Sequence, residues 1–283
     1  MRARATVVTL NKGRDDHLAR LLEGLSRGAH PAECVVVEMG DAPAPLPDPG
    51  FPVRRIVLAS DGLPLARARN AGAGAARTEH LVFLDVDCIP SQDLVASLDE
   101  DLTEVDGLIC CEIRYLPAGA VQDGWTEPGL RSAGFTHPVR HFPSSGLART
   151  DNPGLFWSLA FGVRKETFDR LGGFDESFDG YGAEDTDLAF RADAAGVPIV
   201  FSARGGAFHQ YHQAYDPPLQ HFGDIVRNAR RFHARHGLWP MDGWLDAFAR
   251  MGLSTPRGDD IAILRSPTPE EIAAARLPTD RPF

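Results

Sequence analysis

Apolar positions along the first hundred residues switch between two periods. Residues 5–10 (ATVVTL) form a β-branched run, after which Leu18, Leu21, Leu22 and Leu25 recur three and four apart, the spacing of one helix face over residues 15–25. Residues 34–38 repeat the strand signal. Prolines crowded between Pro43 and Pro52 forbid regular structure, and residues 53–58 predict a third strand. Ser60-Asp61-Gly62-Leu63-Pro64 then opens a helix with proline in its first turn, continued by the Ala-rich residues 65–76. Residues 80–84 (HLVFL) predict a buried strand, 92–102 a helix and 107–113 another strand. Strands alternating with helices predict an α/β fold, a Rossmann-like and mostly parallel sheet flanked by helices.

Periodicity then lapses. Residues 114–153 are rich in Gly, Pro, His and Ser, and such a long irregular stretch predicts a lid or mobile wall unless it is a plain surface excursion. Beyond it, residues 165–171 and 184–195 predict helices around a Gly-rich turn, and 197–201 a strand. Residues 219–236 and 239–251 predict a helical C-terminal appendage, and Thr268-Pro269-Glu270-Glu271 caps a short last helix. At 283 residues, this divides into a main domain over 1–215 and a helical extension over 216–283. In that extension Phe222, Phe232, Trp239, Trp244 and Phe248 recur at near-helical spacing and predict core packing. Arg227, Arg230, Arg231 and Arg235 form a strip that could instead touch anionic lipid.

Charge narrows the partners. Twenty-nine Lys and Arg against 39 Asp and Glu give a net charge of −10 without a sustained basic cluster, so nucleic acid is not expected as a partner. No run approaches the ~20 apolar residues that span a bilayer. Met1-Arg2-Ala3-Arg4 leads directly into a strand, so a cytoplasmic protein is expected. Cys34, Cys88, Cys110 and Cys111 lack CxxC spacing and are expected to be reduced core thiols.

Three clusters carry candidate chemistry. Asp85-Val86-Asp87 ends an apolar strand, and in extended geometry positions i and i+2 share a side, so both acids can face the crevice at the carboxyl end of the sheet. Paired carboxylates there suit Mg²⁺ or Mn²⁺; a solvated turn with Asp capping would give the same tripeptide. In Gly180-Tyr181-Gly182-Ala183-Glu184-Asp185-Thr186-Asp187, acids crowd the first turn of a predicted helix, where the helix dipole alone favours them. His209 and His212 follow the last predicted strand and allow a mixed Asp/His metal site. HExxH and GxSxG are absent, and Gly72-Ala73-Gly74 lies inside a helix, where packing explains it. Nucleotidyl transfer, with Lys12-Gly13-Arg14 near a triphosphate, and a non-catalytic carbohydrate-binding module are competing readings.

In combination these features resemble family 2-type glycosyltransferases of the GT-A fold, with a C-terminal half similar to the galactosyltransferase C-terminal region. The resemblance rests on Thr9-Leu10-Asn11, Arg69-Asn70-Ala71-Gly72, Asp85-Val86-Asp87, and Gly172-Gly173-Phe174-Asp175 running into Gly182-Ala183-Glu184-Asp185-Thr186-Asp187. It implies a metal-dependent transfer, with inversion, from a UDP-sugar or other nucleotide-sugar donor to a hydroxyl of a carbohydrate or other acceptor. The donor would lie near Leu10, Asn11, Glu38, Asp41, Arg69, Asp85, Val86 and Asp87. Asp87 and His209, with Asp85 directly or through ribose and water, would hold Mn²⁺ or Mg²⁺, His212 being the alternative to His209. Asp185 would be the general base, and Glu184, Tyr181 and Trp157 would meet the acceptor. A homo-oligomer is compatible with this reading.

Overall fold

The computed structural model describes residues 4–40, 45–60 and 62–279. Its strands are β1 (Ala5–Asn11), β2 (Glu33–Glu38), β3 (Val53–Val57), β4 (His80–Leu84), β5 (Cys88–Pro90), β6 (Leu108–Tyr115), β7 (Phe135–Thr136), β8 (Leu147–Thr150), β9 (Ala160–Arg164) and β10 (Ile199–His209). The helices are α1 (Asp15–Arg27), α2 (Leu65–Ala75), α3 (Leu94–Glu104), α4 (Glu127–Ala133), α5 (Lys165–Arg170), α6 (Glu184–Ala194), α7 (Phe222–His236), α8 (Asp242–Arg250) and α9 (Pro269–Ala274).

One sheet holds these strands in the order β3-β2-β1-β4-β9-β6-β10-β5, with β7 on β6 and β8 on β10. Strands β3, β2, β1 and β4 run parallel, as their alternation with helices predicts. Between β4 and β6 lies β9, antiparallel to both, and two reversals restore the original direction. Strand β10 is parallel to β6, so β1, β2, β4 and β10 all end at the same edge.

Side-chain alternation splits the core into two layers. Val7, Val82 and Leu84 meet Leu18, Leu21 and Leu22 of α1 and Leu94 and Leu98 of α3. Val8, Leu81 and Phe83 face the other way, toward Ala66 and Ala73 of α2, Phe168 of α5 and Leu188 and Ala192 of α6. A Cβ on Gly72 would lie 2.3 Å from Val8 Cγ1, so this glycine serves close packing of α2 on β1. All four cysteines are buried and free, as expected.

Several elements differ from the sequence expectation, among them β5 and β9, which were not expected. Strand β10 continues eight residues past Phe201, because its register shifts between Phe201 and Gly206. There Gly205 has φ +67°, and a Cβ on it would come 2.8 Å from Leu94 Cα, so the irregular residues 202–206 let the strand pass the start of α3. Within residues 114–153, α4, β7 and β8 stand where irregular chain was expected. Thr126 caps α4 by accepting a hydrogen bond from the Gly129 amide at 3.3 Å, and Leu130 is the helix's one buried residue. Seven residues with a single apolar anchor leave no readable period.

The C-terminal helices pack on the rest of the chain. Phe222, Phe232 and Phe248 are buried, and Phe232 joins Phe178 and Ala183 in one cluster. In the arginine strip, Arg227 pairs with Asp224, Arg230 with Asp260, and Arg235 with Asp175 and Asp187. Most of the strip's charge is thus neutralised by the protein itself. No helix among the described residues is long and apolar enough to cross a membrane.

Candidate active site

The shared carboxyl edge of the sheet brings the candidate residues together. After Leu84 the chain turns through Asp85 and Asp87, closed by the Cys88 amide donating to the Asp85 carbonyl at 2.8 Å, and enters β5. Strand β5 pairs antiparallel with the end of β10, Cys88 opposite His209. The Gln210 amide also donates to the Asp87 carbonyl at 2.6 Å. Asp87 therefore meets His209 because two strands distant in sequence share this last rung of the ladder.

The Asp87 carboxylate places Oδ1 3.4 Å from His209 Nε2 and Oδ2 3.4 Å from His212 Nε2. One ligand atom from each of these three side chains lies within 4.8 Å of the others. The bonds of ~2.0–2.2 Å typical of imidazole and carboxylate ligands would close on an ion at their centre, so the donor set fits a divalent cation. Arg14 completes the surroundings through an ion pair with Asp87 Oδ2. Burial opposes the Asp87 charge, but His209, His212 and Arg14 outweigh it and hold the carboxyl well below the usual range. Burial pushes His209 down to about 4, so the imidazole is neutral near pH 7, as a metal ligand must be.

Asp85 faces a different partner. Arg69, 4% exposed, donates to Asp85 Oδ1 at 3.1 Å and to Glu184 Oε1 at 2.9 Å. Asp85 thus stands outside the three-residue cluster and is tied instead to helix α6. Burial pushes the Asp85 carboxyl up to about 6 against the pull of Arg69. Burial and the neighbouring Asp185 push Glu184 up to about 7, again against Arg69.

Helix α6 starts behind a turn that only small residues allow: Gly180 and Gly182 have φ of +79° and +97°, and Ala183 has φ +69°. Asp185 Oδ1 accepts from the Thr186 amide at 2.7 Å and from its hydroxyl at 3.3 Å, and Oδ2 accepts from the Ser158 amide at 3.3 Å. Among the described residues these hydrogen bonds come from backbone amides and a hydroxyl, and together they orient the carboxylate.

A cleft of about 730 Å³ opens over these groups, lined among others by Leu10, Arg14, Arg69, Asp85, Val86, Asp87, Tyr181, His209 and His212. Asn11 and Glu38 lie behind its wall, where Asn11 Nδ2 donates to Glu38 Oε2 at 2.8 Å and Arg55 also binds Glu38. Asp41 falls outside the described residues. Trp157 meets the cleft-lining His137 edge-on at 4.7 Å, and Arg140 lies 4.9 Å from the centre of its ring. Tyr181 stacks on His221 at 4.4 Å, with Trp244 6.3 Å away. Sequence reasoning did not find His221 and Trp244 as cleft residues, since each belongs to an ordinary amphipathic pattern in the extension.

Comparison with known proteins bears on the family and the fold. A model described as glycosyl transferase family 2 matches residues 44–172, and one described as the N-terminal domain of galactosyltransferase matches residues 151–213. Validoxylamine A glucosyltransferase of Streptomyces hygroscopicus subsp. jinggangensis is 27% identical over 193 residues, covering 62% of this chain and 45% of that protein. Putative polypeptide N-acetylgalactosaminyltransferase 9 of Drosophila melanogaster is 26% identical over 202 residues, covering 66% of this chain and 28% of that protein. The chain thus spans less than half the length of these relatives. Among solved structures, S. aureus TarS 1–349 superimposes with a TM-score of 0.56 at 14% identity, covering 82% of this chain and 66% of that one. GalNAc-T7, crystallised with UDP, GalNAc and Mn²⁺, gives 0.55 at 19% identity, covering 74% and 43%. By its two matched regions and its fold, the chain is similar to family 2-type glycosyltransferases of the GT-A fold, with a galactosyltransferase-like region overlapping the end of the family 2 segment.

Proposed function

We propose that the protein is a divalent-metal-dependent glycosyltransferase that moves a sugar from a nucleotide-sugar donor, a UDP-sugar, to a hydroxyl acceptor with inversion. The observation that carries this is the convergence of Asp87, His209 and His212 beside the Arg69–Glu184 pair that leads to Asp185. Relatives named as glycosyltransferases and a similar fold crystallised with UDP and Mn²⁺ support it.

In this reading Asp87, His209 and His212 would hold the ion, with Asp85 directly or through ribose and water. A divalent ion there supplies charge neutralisation for a diphosphate leaving group. Two imidazoles shift the preference from Mg²⁺, which favours all-oxygen ligands, toward Mn²⁺. Leu10, Val86 and the cleft wall backed by Asn11 and Glu38 bind base and ribose. Arg69 fixes Asp85 and Glu184 beside the diphosphate. Asp185 takes the proton of the acceptor hydroxyl as its oxygen bonds to the anomeric carbon, and the bond to the diphosphate breaks with its electron pair leaving on phosphate oxygen. Glu184, Tyr181 and Trp157 orient the acceptor. We assign catalysis to residues 1–215 and a supporting role to 216–283, and propose a cytoplasmic protein.

The test is calorimetric titration of UDP with and without Mn²⁺. Mn²⁺-dependent binding is expected in the parent and should collapse in Asp87→Ala, while unchanged binding in that variant would refute the metal assignment.

A further inference from the structure

The cleft holds two arginines in opposite situations. Arg69 is buried and committed to two carboxylates, at 3.1 and 2.9 Å. Arg14 lines the cleft with 38% of its side chain exposed, and among the described residues its ion pair is to Asp87 Oδ2. That same oxygen lies 3.4 Å from His212 Nε2. A dication bridging Asp87 and His212 would share this oxygen with a guanidinium, and like charges at such range repel strongly. An ion held by Asp87 Oδ1 and His209 would still lie beside the guanidinium on Oδ2, so metal and Arg14 compete for the same carboxylate.

We infer that Arg14 is a ligand for the donor diphosphate that Asp87 holds in reserve: a divalent ion at Asp87, His209 and His212 displaces the guanidinium, which then turns within the cleft to the phosphates. This rests on the metal assignment above. The anchor for such a swing is firm. The Arg14 amide donates to Asn11 Oδ1 at 3.1 Å, and its carbonyl accepts from the Leu18 amide at 3.0 Å at the start of α1. Only the side chain needs to move, so the cation stays at the mouth of the cleft. Until metal arrives, Arg14 neutralises a buried carboxylate that burial disfavours, and after it arrives the guanidinium offers planar paired donors of the kind phosphate oxygens accept. Metal and nucleotide are then coupled through Arg14, because each removes a competitor of the other.

The experiment is a Mn²⁺ titration of the full chain, alone and followed by UDP, in the parent, Arg14→Gln, Arg14→Lys and Asp87→Ala. Since the backbone of Arg14 makes the helix contacts, Arg14→Gln should fold. With no cation to displace, Arg14→Gln should bind Mn²⁺ alone about tenfold tighter, yet bind UDP in saturating Mn²⁺ about tenfold more weakly for want of one charge-assisted contact. Arg14→Lys should fall between. Mn²⁺ affinity within about twofold of the parent in Arg14→Gln, where a lost displacement predicts about tenfold, would overturn the inference while Asp87-dependent binding persists. Unchanged UDP affinity would do the same. A parent that binds no Mn²⁺ through Asp87 would remove the metal assignment itself.

Discussion

Arg69 holds Asp85 and Glu184 on one buried guanidinium, whereas the hydrogen bonds to Asp185, one residue on, come among the described residues from the Ser158 and Thr186 amides and the Thr186 hydroxyl. In the proposed function, adjacent carboxylates are thereby divided between anchoring and proton transfer. Asp185→Asn should lower transfer by roughly 10²–10⁴ with UDP–Mn²⁺ affinity nearly intact, whereas Glu184→Gln should mainly raise the acceptor KM. Transfer by Asp185→Asn within about fivefold of the parent would place the base elsewhere. Glu184 also makes a prediction about stability. Its carboxyl, pushed up to about 7, keeps a proton in the folded chain that the unfolded chain releases near 4.5. Folding therefore binds that proton between these values, and the cost of the ionised form is absent below pH 4.5 and grows as pH rises to 7. His209, pushed down to about 4, acts oppositely, losing stability as pH falls from 6.5, so the parent's profile mixes the two. The difference between Glu184→Gln and parent isolates the Glu184 contribution. In urea titrations the variant should gain up to about 3 kcal/mol on the parent between pH 4.5 and 7, and a flat difference would contradict the pKa assignment.

The turn before α6 is held from outside. A Cβ on Gly180 would lie 2.3 Å from Asp224 Oδ2, and Asp224 in α7 accepts from the Tyr181 amide at 3.3 Å. Gly180→Ala meets both a positive φ and this carboxylate, so it should cost about 1–3 kcal/mol. Adding Asp224→Ala should recover the clash but not the φ penalty. Full recovery would mean the backbone tolerates alanine, and no loss in the single variant would mean the turn is not constrained. What was legible at this scale follows the strength of local signals. Strands β1, β2, β4 and helices α1 and α2 were readable because single layers of apolar residues repeat in them. Strand β9, a five-residue run AFGVR behind a loop, had no helix before it to frame it, and the bulged half of β10 carries Ser202, Arg204 and two glycines where alternation should stand. The acidic clusters were visible as candidates. Their pairing was not, because Arg69 reaches Glu184 across 115 residues and Asp87 meets His209 only through strand register.

Across the whole molecule, the extension has its own apolar cluster and is tied to the main part of the chain through α7. Asp187, fully buried in α6, is bound by Arg191 at 2.8 Å, and by Arg235 at 2.7 Å and His236 at 2.9 Å from α7. Asn228 donates to the carbonyls of Asp179 at 3.0 Å and Tyr181 at 3.3 Å, so α7 also fixes the turn that carries Glu184 and Asp185. Removing residues 216–283 would leave Asp187 with one cation and expose Phe178 and Ala183, which pack on Phe232. Burial of a single Phe is worth about 1.5–3 kcal/mol, and losing partners from a buried carboxylate adds a similar penalty, together a large share of the 5–15 kcal/mol that stabilises a typical domain. A chain ending at residue 215 should therefore be insoluble or lack a cooperative thermal transition, and in any soluble fraction amides 178–190 should exchange with solvent much faster than in the full chain. Expression, thermal unfolding and hydrogen exchange decide this. A fragment that melts cooperatively within about 5 °C of the full chain, a shift of only ~1–2 kcal/mol at this size, would show that residues 1–215 fold alone and that the site owes nothing to the helices behind it.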